Sequence, residues 1–211
     1  MAGIGSTTRR PHVWKPAADV AGARTLLLLH GTGADERDLL SLGKALDPDA
    51  NLLSPRGLVV AEGMSRFFLR YPDGTFDEAG IVANADELAE FVAAAAFEYG
   101  FDDQQVWAVG FSNGANAAGS LLLLHPDTLQ GIAAFGTTKS FVAPPKRIPK
   151  LGGKRVFIAN GKLDDYSPAD KTDAMVREFR QYGAQVELML HSGGHTISHE
   201  HVKQIAAALR G

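Results

Sequence analysis

The sequence predicts an α/β fold, a mostly parallel central sheet of about seven strands with helices on both faces. Two observations predict it. Short β-rich apolar runs alternate along the chain with segments of helical period. Several of those runs, among them Thr25–Leu29 and Val106–Val109, read as near-continuous Leu, Val and Ala, as strands covered on both faces do.

In chain order the strand candidates are His12–Lys15, Thr25–Leu29, Asn51–Ser54, Val106–Val109, Gly131–Phe135, Arg155–Ala159 and Gln185–Leu190. The helices between them show as apolar stripes spaced three and four apart. Leu88, Phe91, Val92, Ala95 and Tyr99 make one stripe, with Gly100 placed to end the helix. Met175, Val176, Phe179 and Tyr182 make another, with Ser167 as its expected cap, Pro168 in the first turn and Gly183 past the end. Val202, Ile205, Ala206 and Leu209 mark a final amphipathic helix. These stripes read as core packing. The stretch Val142–Gly153 is rich in Pro, Gly and Lys and reads as a surface loop. Its basic residues Lys146, Arg147, Lys150, Lys154 and Arg155 read as a solvated cluster. Residues 1–211 are expected to form a single domain, with 1–10 a flexible N-terminal segment.

Composition narrows the function classes. The chain has 211 residues, 45% hydrophobic and 21% charged, with 21 Lys+Arg against 24 Asp+Glu for a net charge of −3. There is no global basic field to hold a nucleic-acid backbone. Cysteine is absent, which excludes a disulfide framework, a thiolate metal site and a cysteine nucleophile. Met1–Arg10 is polar, carries two arginines and has no apolar run behind it, so it does not read as a signal peptide. No apolar run approaches the length of a membrane span. A cytoplasmic protein is the expectation.

The sharpest local signal is Gly110-Phe111-Ser112-Asn113-Gly114. It follows the apolar strand Val106–Val109 and opens a segment of small residues. A strand that turns abruptly into a helix holds the central Ser in a strained conformation, its hydroxyl raised above the carboxyl end of the sheet. A serine hydroxyl needs a base to become a nucleophile. His195, in Ser192-Gly193-Gly194-His195-Thr196, lies in a loop after the last strand and can swing over Ser112. His191 is its rival at the strand end. The base needs a carboxylate to orient it, and Gly161-Lys162-Leu163-Asp164-Asp165 offers two after the strand Arg155–Ala159. Asp164 is taken first and Asp165 is the live alternative, because spacing alone does not rank neighbouring residues in a loop. The order Ser, Asp, His is that of this scaffold. Backbone donors for an oxyanion are expected from Asn113 and from Thr32, the latter in the glycine-flanked loop His30-Gly31-Thr32-Gly33. His30 reads as a loop brace.

Together these motifs resemble the α/β-hydrolase superfamily, and within it the small phospholipase/carboxylesterase family with its acyl-protein thioesterase-like members. The resemblance runs from about Thr25 to the C-terminus. It rests on Leu29-His30-Gly31-Thr32-Gly33, Gly110-Phe111-Ser112-Asn113-Gly114-Ala115-Asn116, Gly161-Lys162-Leu163-Asp164 with Pro168, and Gly193-Gly194-His195. It implies an α/β-hydrolase fold. Ser112 is implied as nucleophile, Asp164 rather than Asp165 as orienting acid, His195 as base, and the Thr32 and Asn113 amides as oxyanion donors. Met64-Ser65-Arg66-Phe67-Phe68 looks like the substrate-side segment of bacterial members, so Arg66, Phe67 and Phe68 are expected to line the substrate pocket. One departure stands out: many relatives carry Pro after the catalytic Asp, where this chain has Asp165.

The expected activity is hydrolysis of carboxylic esters or thioesters through an acyl-enzyme, with no cofactor and no metal. The stretch from Gly131 to Arg155 is too short for a sizeable helical lid, so no large cap domain is expected. The open site suits a small-molecule ester, and its exposed rim could pair two copies as a homodimer. Two other classes compete. A metal site could use His191, His195, His199 and His201, but Gly193-Gly194 interrupts their helical spacing and no acids complete a shell. A non-catalytic binding protein on the same fold would ordinarily have lost one of the three side chains.

Overall fold

Leu26 and Leu28 face one side of the sheet while Leu27 and Leu29 face the other, and all four are fully buried. That two-residue alternation, repeated along the inner strands, divides the interior into two cores. The structure, a computed structural model, describes residues 10–142 and 149–210. Its strands are β1 (His12–Lys15), β2 (Thr25–Leu29), β3 (Asn51–Pro55), β4 (Val59–Ala61), β5 (Met64–Arg66), β6 (Val106–Phe111), β7 (Gly131–Phe135), β8 (Arg155–Gly161) and β9 (Gln185–His191). Its helices are α1 (Leu40–Leu46), α2 (Glu78–Tyr99), α3 (Asn113–Leu124), α4 (Ala169–Gln181) and α5 (His199–Arg210).

Seven strands form one sheet in the order β1-β3-β2-β6-β7-β8-β9, parallel throughout except for the antiparallel edge strand β1. One core packs Leu27, Leu29, Ala108, Ile132, Ala134 and Ile158 against α2, α3 and α4. The other packs Leu26, Leu28, Val109, Phe135, Phe157 and Ala159 against α1 and α5. Each buried Leu or Phe contributes about 1.5–3 kcal/mol relative to exposure. This is the α/β-hydrolase arrangement, and no cap domain stands over the sheet among the described residues.

Each expected strand forms, and β3, β6, β8 and β9 run one or two residues longer than expected. The first apolar stripe belongs to the long helix α2. Asp77 caps its start by accepting from the Gly80 amide, and Gly100 ends it at φ 75°. In α4 the capping position falls to Pro168, with no side-chain bond. Ser167 does not cap: its hydroxyl is buried with no partner, because the chain reaches helical geometry only after Pro168. Helix α1 and the β4–β5 hairpin were not foreseen. Seven-residue and three-residue elements carry too few periods to show in sequence, though the hairpin turn Glu62-Gly63 has the two positive φ values of a tight connection.

The N-terminal segment and part of the Val142–Gly153 loop, with Lys146 and Arg147, lie outside the described residues. Arg10, at the first described position, is buried over the rings of Phe67 and Phe91. No described helix is long and apolar enough to cross a membrane.

Candidate active site

Four loops leave the carboxyl ends of parallel strands of the sheet and converge, as ligand-bearing loops of open α/β sheets do. The loop after β2 carries His30-Gly31-Thr32. The turn from β6 into α3 carries Ser112. The loop after β8 carries Asp164, and the loop after β9 carries His195.

Ser112 stands at φ 55°, ψ −118°, the residue immediately before α3. That is a strained conformation for a non-glycine residue, costing about 1–3 kcal/mol. The glycines on either side explain how the turn closes. A side chain at Gly114 would enter the Leu29 and His30 carbonyls, and one at Gly110 would enter the backbone of Gly114 and Ala115. The strained turn is pinned from outside by the Ser112 amide, which donates to the Phe135 carbonyl at 2.9 Å.

Asn113 follows Ser112 as the first residue of α3, so its amide has no carbonyl within the helix to bond. Its side chain accepts from the Phe67 amide at 2.7 Å and donates to the Phe68 carbonyl at 3.1 Å. The Thr32 amide makes no backbone hydrogen bond among the described residues. Its loop is held from two sides. The Gly33 amide donates to the Ser65 carbonyl at 2.9 Å. The Gly57 amide donates to His30 Nε2 at 3.0 Å. That bond, with Nδ1 donating to the Gly31 carbonyl at 2.7 Å, makes His30 a neutral brace. Burial lowers its pKa, against the pull of the Gly31 carbonyl and nearby acids.

His195 Nδ1 meets Asp164 Oδ2 at 2.8 Å. The Asp164 side chain is entirely buried, and its other oxygen accepts from the amides of Tyr166 at 2.9 Å and Ser167 at 3.3 Å. Asp165 is exposed and turns away into solvent. The loop bearing His195 is fastened to the loop bearing Asp164. The Lys162 amide donates to the His191 carbonyl and the Leu163 amide to the Gly193 carbonyl. A side chain at Gly161 would collide with the Gly193 and Gly194 carbonyls, so glycine there lets the loops close.

The imidazole of His195 lies between two rings, Phe111 at 4.9 Å and Tyr166 at 4.8 Å. Gly136, at φ 60°, floors it: a Cβ there would come 2.7 Å from the imidazole Cε1. Phe111 is Ser112's chain neighbour, and Gly136 follows the Phe135 that pins the Ser112 amide. The histidine is therefore packed against the residues that frame Ser112. Tyr166 bridges the two, since its hydroxyl faces Ser112 and accepts from Asn116 Nδ2 at 3.2 Å. Burial raises the Tyr166 phenol, with the neighbouring Arg70 pulling it back.

Beside this cluster opens a cleft of roughly 330 Å³ lined by Thr32, Arg66, Arg70, Tyr71, Asn113 and Tyr166, among others. Arg66 lines it. Phe67 and Phe68 do not, which corrects the expectation for this segment. Both are buried to 1% exposure or less. Phe67 packs on His30, and Phe68 meets Phe76 edge-on. The Asn113 side chain ties their backbone to the turn at Ser112, and the rings on that anchored backbone enter the core. The four C-terminal histidines do not converge. His195 bonds Asp164, His191 accepts from the Gly193 amide, and only His201 lies against His191.

Comparison with known proteins agrees with this architecture. The family model for phospholipase/carboxylesterase matches residues 12–210. The chain belongs to the phospholipase/carboxylesterase family. Among its relatives is the Bacillus subtilis (strain 168) protein MhqD, a hydrolase by name, 41% identical over 181 residues that cover 85% of this chain and 88% of MhqD. A Bacillus cereus carboxylesterase structure superposes with a TM-score of 0.91 at 35% identity, covering 96% of this chain and 94% of that one. A carboxylesterase from Mesorhizobium loti superposes at 0.82 with 30% identity, covering 89% and 88%.

In this phospholipase/carboxylesterase chain, sequence reasoning missed Gly136, Tyr166 and Arg70. Gly136 had a legible signal, a glycine closing an apolar strand. Tyr166 and Arg70 had none, since their importance comes from neighbours distant in the chain.

Proposed function

We propose that this hydrolase cleaves carboxylic esters or thioesters through a Ser112-His195-Asp164 triad and an acyl-enzyme intermediate. The observation that carries the proposal is the 2.8 Å bond between His195 Nδ1 and the buried Asp164 carboxylate, beside the strained turn that raises Ser112. Asp164 holds the imidazole with its proton on Nδ1, leaving Nε2 free to act as base. Ser112 Oγ attacks the carbonyl carbon while Nε2 takes its proton. The tetrahedral oxyanion is held by the Thr32 and Asn113 amides. The imidazolium then protonates the departing alcohol or thiol. Water, deprotonated by the same nitrogen, attacks the acyl-Ser112 ester and releases the acid. The carboxylesterase relatives support ester substrates, and the uncapped cleft suits a small molecule.

The test is covalent. A fluorophosphonate probe is expected to label Ser112 alone, and Ser112→Ala is expected to lose turnover of p-nitrophenyl acetate while melting near the parent temperature. Retained turnover in that variant contradicts the assignment. An intact protein that neither reacts with the probe nor hydrolyses any ester favours a non-catalytic binding role.

A further inference from the structure

We infer that the cleft beside the oxyanion amides is an anion subsite, in which Arg66 and Arg70 take a carboxylate or phosphate carried by the substrate ester. The inference rests on the serine-hydrolase reading for the bond that is cut, and adds the class of molecule that carries it.

The residues lining the cleft include two arginines and no Asp or Glu. Arg66 is only 9% exposed, yet it forms no ion pair among the described residues. Among the described residues its side chain makes one hydrogen bond, from Nη2 to the Ala61 carbonyl at 3.2 Å, and its Nε is buried with no partner there. Arg70 also meets no carboxylate among the described residues. Its Nε donates to the Gly74 carbonyl at 3.3 Å, and its guanidinium lies 4.4 Å over the Tyr166 ring and 5.6 Å from that of Phe76. Elsewhere Arg10, Arg24 and Arg56 each meet an acid.

The acids near the cleft are already engaged. Asp164 is bonded to His195 and two amides, and Asp73 accepts from the Thr75 amide and hydroxyl. Removing a guanidinium from water without a counter-charge is costly, and a buried donor left open calls for a partner. The planar fork of arginine matches the two oxygens of a carboxylate or phosphate. Tyr166 fixes the position of the second fork, because the guanidinium stacks on a ring that also packs against His195. An ester bearing such a group would be drawn in by the local field and held with its carbonyl near Thr32 and Asn113.

The test compares charged and neutral esters of matched shape on the full-length protein. One pair carries the charge on the leaving group, 4-acetoxyphenylacetate against its methyl ester. A second carries it on the acyl group, 4-nitrophenyl monoadipate against its methyl ester. 2-(4-Acetoxyphenyl)ethyl phosphate separates phosphate from carboxylate. At least one charged ester is expected to exceed its neutral partner in kcat/KM by about tenfold or more, through KM, as charge-assisted hydrogen bonds provide. That preference is expected to shrink as salt is raised and to fall toward unity in Arg70→Gln and Arg66→Lys. Arg66 is buried, so the salt series on the parent protein stands if that variant fails to fold. Titration of Ser112→Ala with the same esters reads the subsite without catalysis. Equal handling of charged and neutral members in every pair, or a preference untouched by salt and by Arg70→Gln, overturns the subsite. Absent turnover with selective binding of the charged esters sinks the serine-hydrolase reading instead.

Discussion

Asp164 and Asp165 are adjacent, and their environments are opposite. Asp164 is buried, with one oxygen on His195 and the other on two amides. Asp165 faces water. Asp164→Asn is therefore expected to lower kcat on the order of 10³–10⁴-fold, because the amide no longer holds the imidazole in its working tautomer. Asp165→Asn is expected to stay near the parent. Steady-state rates on p-nitrophenyl acetate check both, and comparable losses would count against Asp164 as the orienting acid. Tyr166 acts by shape as well as by its hydroxyl. Tyr166→Phe keeps the ring against His195 and is expected to lose about tenfold or less in kcat. Tyr166→Ala removes the wall and is expected to lose more, with rates extrapolated to saturating ester separating positioning from binding.

At the scale of elements, glycines decide whether strands and loops can meet. Gly114 lets α3 start against the end of β2, and no side chain fits between it and the Leu29 carbonyl. Gly114→Ala is expected to cost about 3 kcal/mol by forcing backbone apart, read as a fall in melting temperature. Gly136 differs, because what a side chain there would strike is the imidazole of His195. Gly136→Ala also strains a backbone at φ 60°. It is expected to lose proportionately more activity than stability. A variant that keeps its rate while melting early would contradict that role. The β4–β5 hairpin is a third such element: the Ser65 carbonyl holds the Thr32 loop through the Gly33 amide, and Arg66 lines the cleft.

For the molecule as a whole, acid sensitivity follows from buried neutral histidines. Burial lowers the pKa of both His30 and His201 in the fold. Below the ordinary histidine value of 6.5 the unfolded chain takes up protons that the folded chain refuses. Their contribution to stability is thus fully present above that value and is lost as pH falls beneath it. Glu178, raised mainly by burial, slopes the other way in acid, so a variant isolates the histidine part. His201 has a buried Nδ1 without a partner, and His201→Leu is expected to flatten the fall in melting temperature between about pH 7 and pH 5.5. An unchanged slope would remove His201 from the account.

The alternation of strand and helix, the turn at Gly110–Gly114 and the Gly-Gly-His loop were legible because local sterics and period encode them, and each involves residues close in the chain. The same local reading stopped between Asp164 and Asp165. Only the folded chain brings His195 onto one of them across 31 positions. It also stopped at Arg66-Phe67-Phe68, where an apolar ring in a core and one in a pocket look alike in sequence. Tertiary structure decided that the rings fill the core and the arginine lines the cleft, because Asn113 anchors that backbone against the turn at Ser112. Local pattern sets which elements form and where they turn. Which side chains share a site depends on contacts between elements far apart in the chain, and spacing in one dimension carries no measure of those.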